Sequence, residues 1–90
     1  MIIEYWIQII MNTLHLVISS VSENLYDGAA ISATVPGSAG EMTVLPNHEP
    51  LITTLKEGTI TVRVPNAEVK SFSIKGGVLE ISGERAVVLV

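Results

Sequence analysis

An all-β fold built as a β-sandwich is what this sequence predicts, on three observations. Apolar residues recur with period two in short blocks beyond Met11. Gly, Pro, Asn and Asp interrupt those blocks every few residues. No stretch sustains the 3.6-residue period of an amphipathic helix. About eight to ten short, mostly antiparallel strands fit the blocks. An isolated hairpin is marginal in water, so two packed layers or a flattened barrel is how such strands bury one face each.

Leu14, Leu16 and Ile18 alternate with His15, Val17 and Ser19 to give the first strand, and Asn24 to Gly28 supplies turn chemistry before a second block, Ala29 to Val35. Pro36-Gly37-Ser38-Ala39-Gly40 is a breaker cluster whose glycines tolerate positive φ. The strand Met42 to Leu45 follows. In Thr59 to Val64, Ile60, Val62 and Val64 face one way while two threonines and Arg63 face the other, as a sheet with one wet side requires. Pro65-Asn66-Ala67-Glu68 turns this strand back into Val69 to Lys75, where Phe72 and Ile74 point inward, so the pair reads as a hairpin. Gly76-Gly77 breaks the next junction, Val78 to Ile81 is short and apolar, Ser82 to Arg85 turns, and Ala86 to Val90 closes the chain as a continuous apolar strand.

Ninety residues make one domain with a single core. Five Lys and Arg against nine Asp and Glu give a formal charge of −4 with no basic run, which lacks the electrostatic footprint of a nucleic-acid binder. The absence of Cys excludes a disulfide scaffold and thiolate metal sites. No apolar run approaches the roughly 20 residues of a membrane-spanning helix, so no direct membrane insertion is expected. The segment MIIEYWIQII carries Glu4 and lacks a basic leader and a small-residue cleavage site, so it reads poorly as a signal peptide. With Met11 directly behind it, residues 1–11 read as an N-terminal extension, from a start codon placed too early or from expression; an edge strand or a partner-binding tail is the other reading. The domain proper is then 12–90.

The stretch Gly40 to Leu51, GEMTVLPNHEPL, gathers a histidine and two carboxylates beside two prolines. For nucleophilic catalysis it lacks a Ser, Thr or Cys beside a base that a third group orients, and the chain has no Gly-x-Ser-x-Gly elbow. A zinc site needs three or four placed ligands, whereas His48 and Glu49 are sequence neighbours and His15 lies far off. Glu41 and Glu49 as a glycosidase pair would need a sugar cleft that so small a domain has little room for. Gly76-Gly77 lacks the Gly-Lys-Ser/Thr and the helix N-terminus of a phosphate loop. The residues therefore predict no catalytic, cofactor-binding or metal site. They predict a stiff corner: Pro46 and Pro50 fix two φ angles around Asn47, a residue tolerant of left-handed geometry, His48 bonds backbone groups freed by the turn, and Val44, Leu45 and Leu51 anchor both sides in the core. Glu41 stays exposed on the preceding loop.

This corner, followed by Leu55, Gly58, Ile60, the run Gly76-Gly77-Val78-Leu79-Glu80 and the terminal Val-Val-Leu-Val, resembles the N-terminal domain of the epsilon subunit of F-type ATP synthase, called delta in mitochondria. The resemblance covers about residues 12–90, with the Pro-Asn-His-x-Pro-Leu corner and the Gly-Gly-x-Leu-Glu run in the family's order and spacing. It implies a flattened β-sandwich of about ten strands at the foot of the rotor stalk, clamped between the gamma subunit and the ring of c subunits. There it passes torque from proton or sodium-ion flow toward catalytic sites on other chains. The subunit itself is non-catalytic, and the complex is peripheral on the cytoplasmic face of a bacterial membrane. By position, Ser38, Glu41 and Met42 match the loop facing the polar loops of the c ring, and Pro46, Asn47, His48 and Pro50 match the family's structural corner. Two departures stand out. Thr43 replaces a common glycine, and the C-terminal helical hairpin that inhibits hydrolysis in many members has no counterpart before Val90, so the chain reads as a naturally short form or a cut N-terminal domain.

Two other classes compete with this reading. A free-standing β-sandwich binding module would be a stable monomer with a pocket, and a small hydrolase would use His48 with Glu41 or Glu49.

Overall fold

A computed structural model describes residues 13–65 and 68–90. The extension expected at 1–11 lies outside the described residues. Among the described residues nine strands form: β1 (Leu14–Ser19), β2 (Asn24–Ala30), β3 (Ser32–Gly37), β4 (Gly40–Val44), β5 (Leu51–Leu55), β6 (Gly58–Arg63), β7 (Lys70–Ile74), β8 (Gly77–Ser82) and β9 (Arg85–Leu89). They join into one sheet in the order β2-β1-β9-β8-β5-β3-β6-β7, with β4 on the other side of β3. Every pair is antiparallel except β1 with β9, the first and last strands, which run parallel through His15↔Arg85 to Ser19↔Leu89.

The sheet turns over at β3. One edge of this strand pairs with β6 through Ser32, Ala33 and Thr34 and then, at Gly37, with Leu55 of β5. Changing partner along one edge splits the path into a layer β2-β1-β9-β8-β5 and a layer β4-β3-β6-β7, whose inner faces meet as in a sandwich. The inward positions are the ones alternation predicted: Leu14, Leu16 and Ile18 of β1, Ile60 and Val62 of β6, Leu79 and Ile81 of β8, and Ala86 and Val88 of β9 are all buried, with Phe72 half-buried and Ile74 buried on β7. Among the described residues, no buried side-chain nitrogen or oxygen lacks a hydrogen-bond partner. That satisfies the main condition for a polar atom to sit inside at little cost.

Four local expectations are corrected. Asn24 to Gly28 is not a turn but most of β2; the reversal comes earlier, where Ser20 N–H donates to the Glu23 carbonyl at 2.8 Å. Asn, Asp and Gly mislead here because β2 is the edge of the path, where a strand tolerates them. Gly28 leaves room for the Tyr26 ring, whose hydroxyl donates to the Ala29 carbonyl at 2.6 Å. The block Ala29 to Val35 is broken at Ile31 into β2 and β3, with Ile31 N–H turned onto the Arg63 carbonyl at 2.7 Å. Leu51–Leu55, read only as an anchor of the corner, is a full strand between β8 and β3. Glu41, expected on the loop, is the second residue of β4 and pairs with Pro36, and in the closing apolar strand Ala86 and Val88 point in while Leu89 points out at 57% exposure.

The Gly76-Gly77 junction is a packing requirement. Gly76 sits at φ 149°, and a Cβ on Gly77 would come within 2.3 Å of the Leu89 carbonyl oxygen, so the entry to β8 passes too close to β9 for any side chain.

Candidate functional site

The β3–β4 hairpin closes at the pair Gly37↔Gly40, leaving Ser38 and Ala39 as its two-residue loop. Gly40 follows at φ 144°, with open space around the position a Cβ would take. Ser38 and Glu41 are exposed, which is where a contact loop must place them. Met42 is half-buried, packs against the core and lies beside Gly37, so it anchors the hairpin from beneath.

In the corner, Asn47 has φ 70° and is the sole described non-glycine residue with positive φ, as its tolerance of left-handed geometry predicts. Val44 is buried and Leu51 half-buried against the core, but Leu45 is 53% exposed, so the corner is anchored on two apolar residues, not three. The correction follows from the pleat: with Val44 inward, the next residue must face out. His48 Nδ1 lies 2.8 Å from the Glu49 carbonyl oxygen and donates to it. The partner is the adjacent residue at an exposed site, so the ring tidies the turn locally instead of satisfying a buried group. Glu49 and Pro50 are exposed, and the corner brings no nucleophile to His48. Among the described residues no three His, Asp or Glu side chains converge as metal ligands.

Sequence reading missed a second polar grouping. His15 Nε2 and Asp27 Oδ1 meet at 2.6 Å across β1 and β2, diagonal to the ladder, and Arg85 is level with His15 on β9. The hydrogen bond from His15 holds the Asp27 carboxyl below its ordinary range, helped by the charges of His15 and Arg85 and a bond to Asn24, against a smaller opposing desolvation. Alternation placed His15 outward, but Asp27 was hidden by the turn reading of its segment. A shallow groove of about 610 Å³ runs beside this pair, between Gly28 on one side and Glu84 and Arg85 on the other.

The outer face of the β1-β9-β8-β5 layer carries exposed apolar residues among polar ones. Register puts Ile52 beside Glu80, Glu80 beside Val87 and Val87 beside Val17, while Val78 lies between Thr54 and Leu89. Ile52 and Leu89 are 70% and 57% exposed, and Val17 and Val87 are half-buried between the strands. Outward apolar residues gathered on one face mark an interaction surface more often than scattered ones do.

Nine described strands folded into two facing layers make this an all-β sandwich domain. The model of the ATP synthase delta/epsilon chain β-sandwich domain matches residues 13–90, and the chain belongs to that family. It is 38% identical over 79 residues to the ATP synthase epsilon chain of Stenotrophomonas maltophilia and 40% identical over 79 residues to that of Psychrobacter cryohalolentis. Each alignment covers 88% of this chain, against 56% and 57% of the relatives, so the chain spans little more than half their length. Among solved structures, a chain of the Euglena gracilis mitochondrial ATP synthase OSCP/F1/c-ring structure superposes with a TM-score of 0.81 at 20% identity, covering 87% of this chain and 50% of that one. A chain of the Tetrahymena thermophila mitochondrial ATP synthase central stalk/c-ring structure does so with a TM-score of 0.69 at 13% identity, over 84% and 61%. At these identities the structures speak for the fold.

Proposed function

We propose that this chain is the β-sandwich of a non-catalytic rotor-stalk subunit of an F-type ATP synthase, joining the gamma subunit to the c ring so that ion translocation is coupled to ATP synthesis. The observation that carries the reading is the family match over residues 13–90, and the exposure of Glu41 at the start of β4, beside the hairpin turn, supports a contact role for it. The loop Ser38–Glu41 meets the polar loops of the c ring, and the carboxylate of Glu41 suits basic groups there. The outer face around Ile52, Val78 and Leu89 meets gamma, since exposed apolar side chains set among polar ones suit a protein interface. The assembled subunit is peripheral to the membrane, on the cytoplasmic face in a bacterium. Torque transmission asks only that the domain be stiff and held on two surfaces, and a closed sandwich provides both.

Reconstitution with purified gamma and detergent-solubilised c ring tests this. Co-elution with both is expected, Ile52→Asp with Leu89→Asp removing gamma alone and Glu41→Lys weakening the ring alone. A folded chain that binds neither partner would overturn the reading in favour of a free-standing module.

A further inference from the structure

The Ser38–Glu41 loop does not stand on its own hairpin. Ser38 N–H donates to the Thr54 carbonyl at 3.0 Å, Lys56 N–H donates to the Pro36 carbonyl at 2.9 Å, and the hydroxyls of Ser38 and Thr54 share a hydrogen bond of 2.8 Å. Gly37 pairs with Leu55 between these bonds, and Gly58 packs so close to Pro36 that a Cβ there would come within 2.9 Å of the proline Cβ. The base of the loop is therefore stitched to residues 54–58, while at its tip Gly40 stands in open space. Ser38, exposed though it is, turns its hydroxyl back onto β5 instead of outward.

We propose that Thr54 is a positioning residue for the end of the β3–β4 hairpin, and that the ring-facing surface combines two elements joined through β3: that hairpin end, with Ser38 in its turn and Glu41 at the start of β4, and the β5–β6 corner carrying Lys56 and Glu57, tied to Pro36. The inference rests on the rotor-stalk reading above. Its physical basis is preorganisation. A hairpin end held only by its own ladder keeps freedom to twist and loses it on docking, whereas one also tied to β5 presents Ser38 and, two residues past the turn, Glu41 in one place. The partner that fits is a polar loop with a basic group opposite Glu41 and a carboxylate or carbonyl in reach of Lys56. Thr54 is exposed and its hydroxyl lies outside the core, so it can be altered without unfolding the domain.

The test compares Thr54→Val, which keeps the shape and removes the hydroxyl, with Thr54→Ser, which restores it, in the full chain. Amide hydrogen exchange at residues 38–41 is expected to quicken about three- to tenfold in Thr54→Val, the range set by one net hydrogen bond, with core amides unchanged and Thr54→Ser close to the parent. Affinity for the detergent-solubilised c ring should fall by a similar factor and recover in Thr54→Ser. Unchanged exchange at the loop would overturn the brace. If Glu41→Lys weakened docking and Thr54→Val did not, the positioning role would fall and the rotor-stalk reading would stand. If exchange quickened and neither variant affected docking, the ring-facing assignment would fall and the positioning role with it.

Discussion

The rings of Tyr26 and Phe72 meet with centroids 6.2 Å apart and planes tilted by 59°, and the two residues belong to β2 and β7, the opposite ends of the strand path. Among the described residues each end strand has a ladder partner on one side alone, so this contact does across the layers what hydrogen bonds do along the rest of the sheet. Both residues are half-buried, and partial burial raises the Tyr26 phenol above its ordinary pKa. Phe72→Ala should cost about 2–3 kcal/mol, somewhat less than the loss of a fully buried aromatic. A double-mutant cycle with Tyr26→Leu, read from urea melts, should show a coupling of about 0.5–1.5 kcal/mol. Additive losses would mean the two edges are held independently.

The His15–Asp27 pair gives the domain an acid-sensitive edge. The folded-state pKa of Asp27 lies below its unfolded value, so its contribution is fully present above the unfolded pKa and disappears as pH falls through the lower, folded one. The stability difference between the parent and Asp27→Asn should therefore be present above about pH 4, where free aspartate titrates, and shrink below it. Both side chains are about half exposed, so the effect is small and weakens with salt. Melting curves between pH 7 and pH 2.5 measure it, and a difference that persisted undiminished at the acid end would contradict the pairing.

Glu41 should matter to docking and not to folding. Glu41→Ala is expected to leave the melting midpoint of the free domain within the equivalent of about 0.5 kcal/mol, as exposed substitutions do. Glu41→Lys should weaken attachment to the c ring, more at low salt than at high, because rim charges act through screened attraction. Normal assembly of the charge-reversed variant at low salt would remove this loop from the interface.

The corner divides between its two central residues. Had His48 satisfied buried turn groups, its removal would cost about 1–3 kcal/mol. Its one partner is the exposed carbonyl of Glu49, which water can take over, so His48→Ala should cost less than about 1 kcal/mol. Asn47→Ala, which forces an alanine to φ 70°, should cost about 1–2 kcal/mol, and Asn47→Gly should cost less than the alanine change. The order of the three melting midpoints decides this, and a larger loss at His48 than at Asn47 would mean the ring supports more than its neighbour.

Much of what depends on a residue and its near neighbours was legible in the chain. Alternation marked Leu14, Leu16, Ile60, Val62 and Leu79 as inward, because a pleated strand shows successive side chains to opposite faces wherever it lies. Pro46, Asn47 and Pro50 marked the corner, because their φ preferences are intrinsic, and the carboxylate of Glu41 is exposed as expected although its residue belongs to β4 and not to the loop. What could not be read was pairing. The parallel contact of β1 with β9, the change of partner along β3 and the ties from Thr54 and Lys56 to the Ser38 loop all join residues distant in sequence, and no local preference encodes them. They arise because nine short strands must bury one face each in a single closed core, and that shared burial selects the partners. It also turned Asn24–Gly28 from an apparent turn into an edge strand, and so brought Asp27 to His15 and Tyr26 to Phe72.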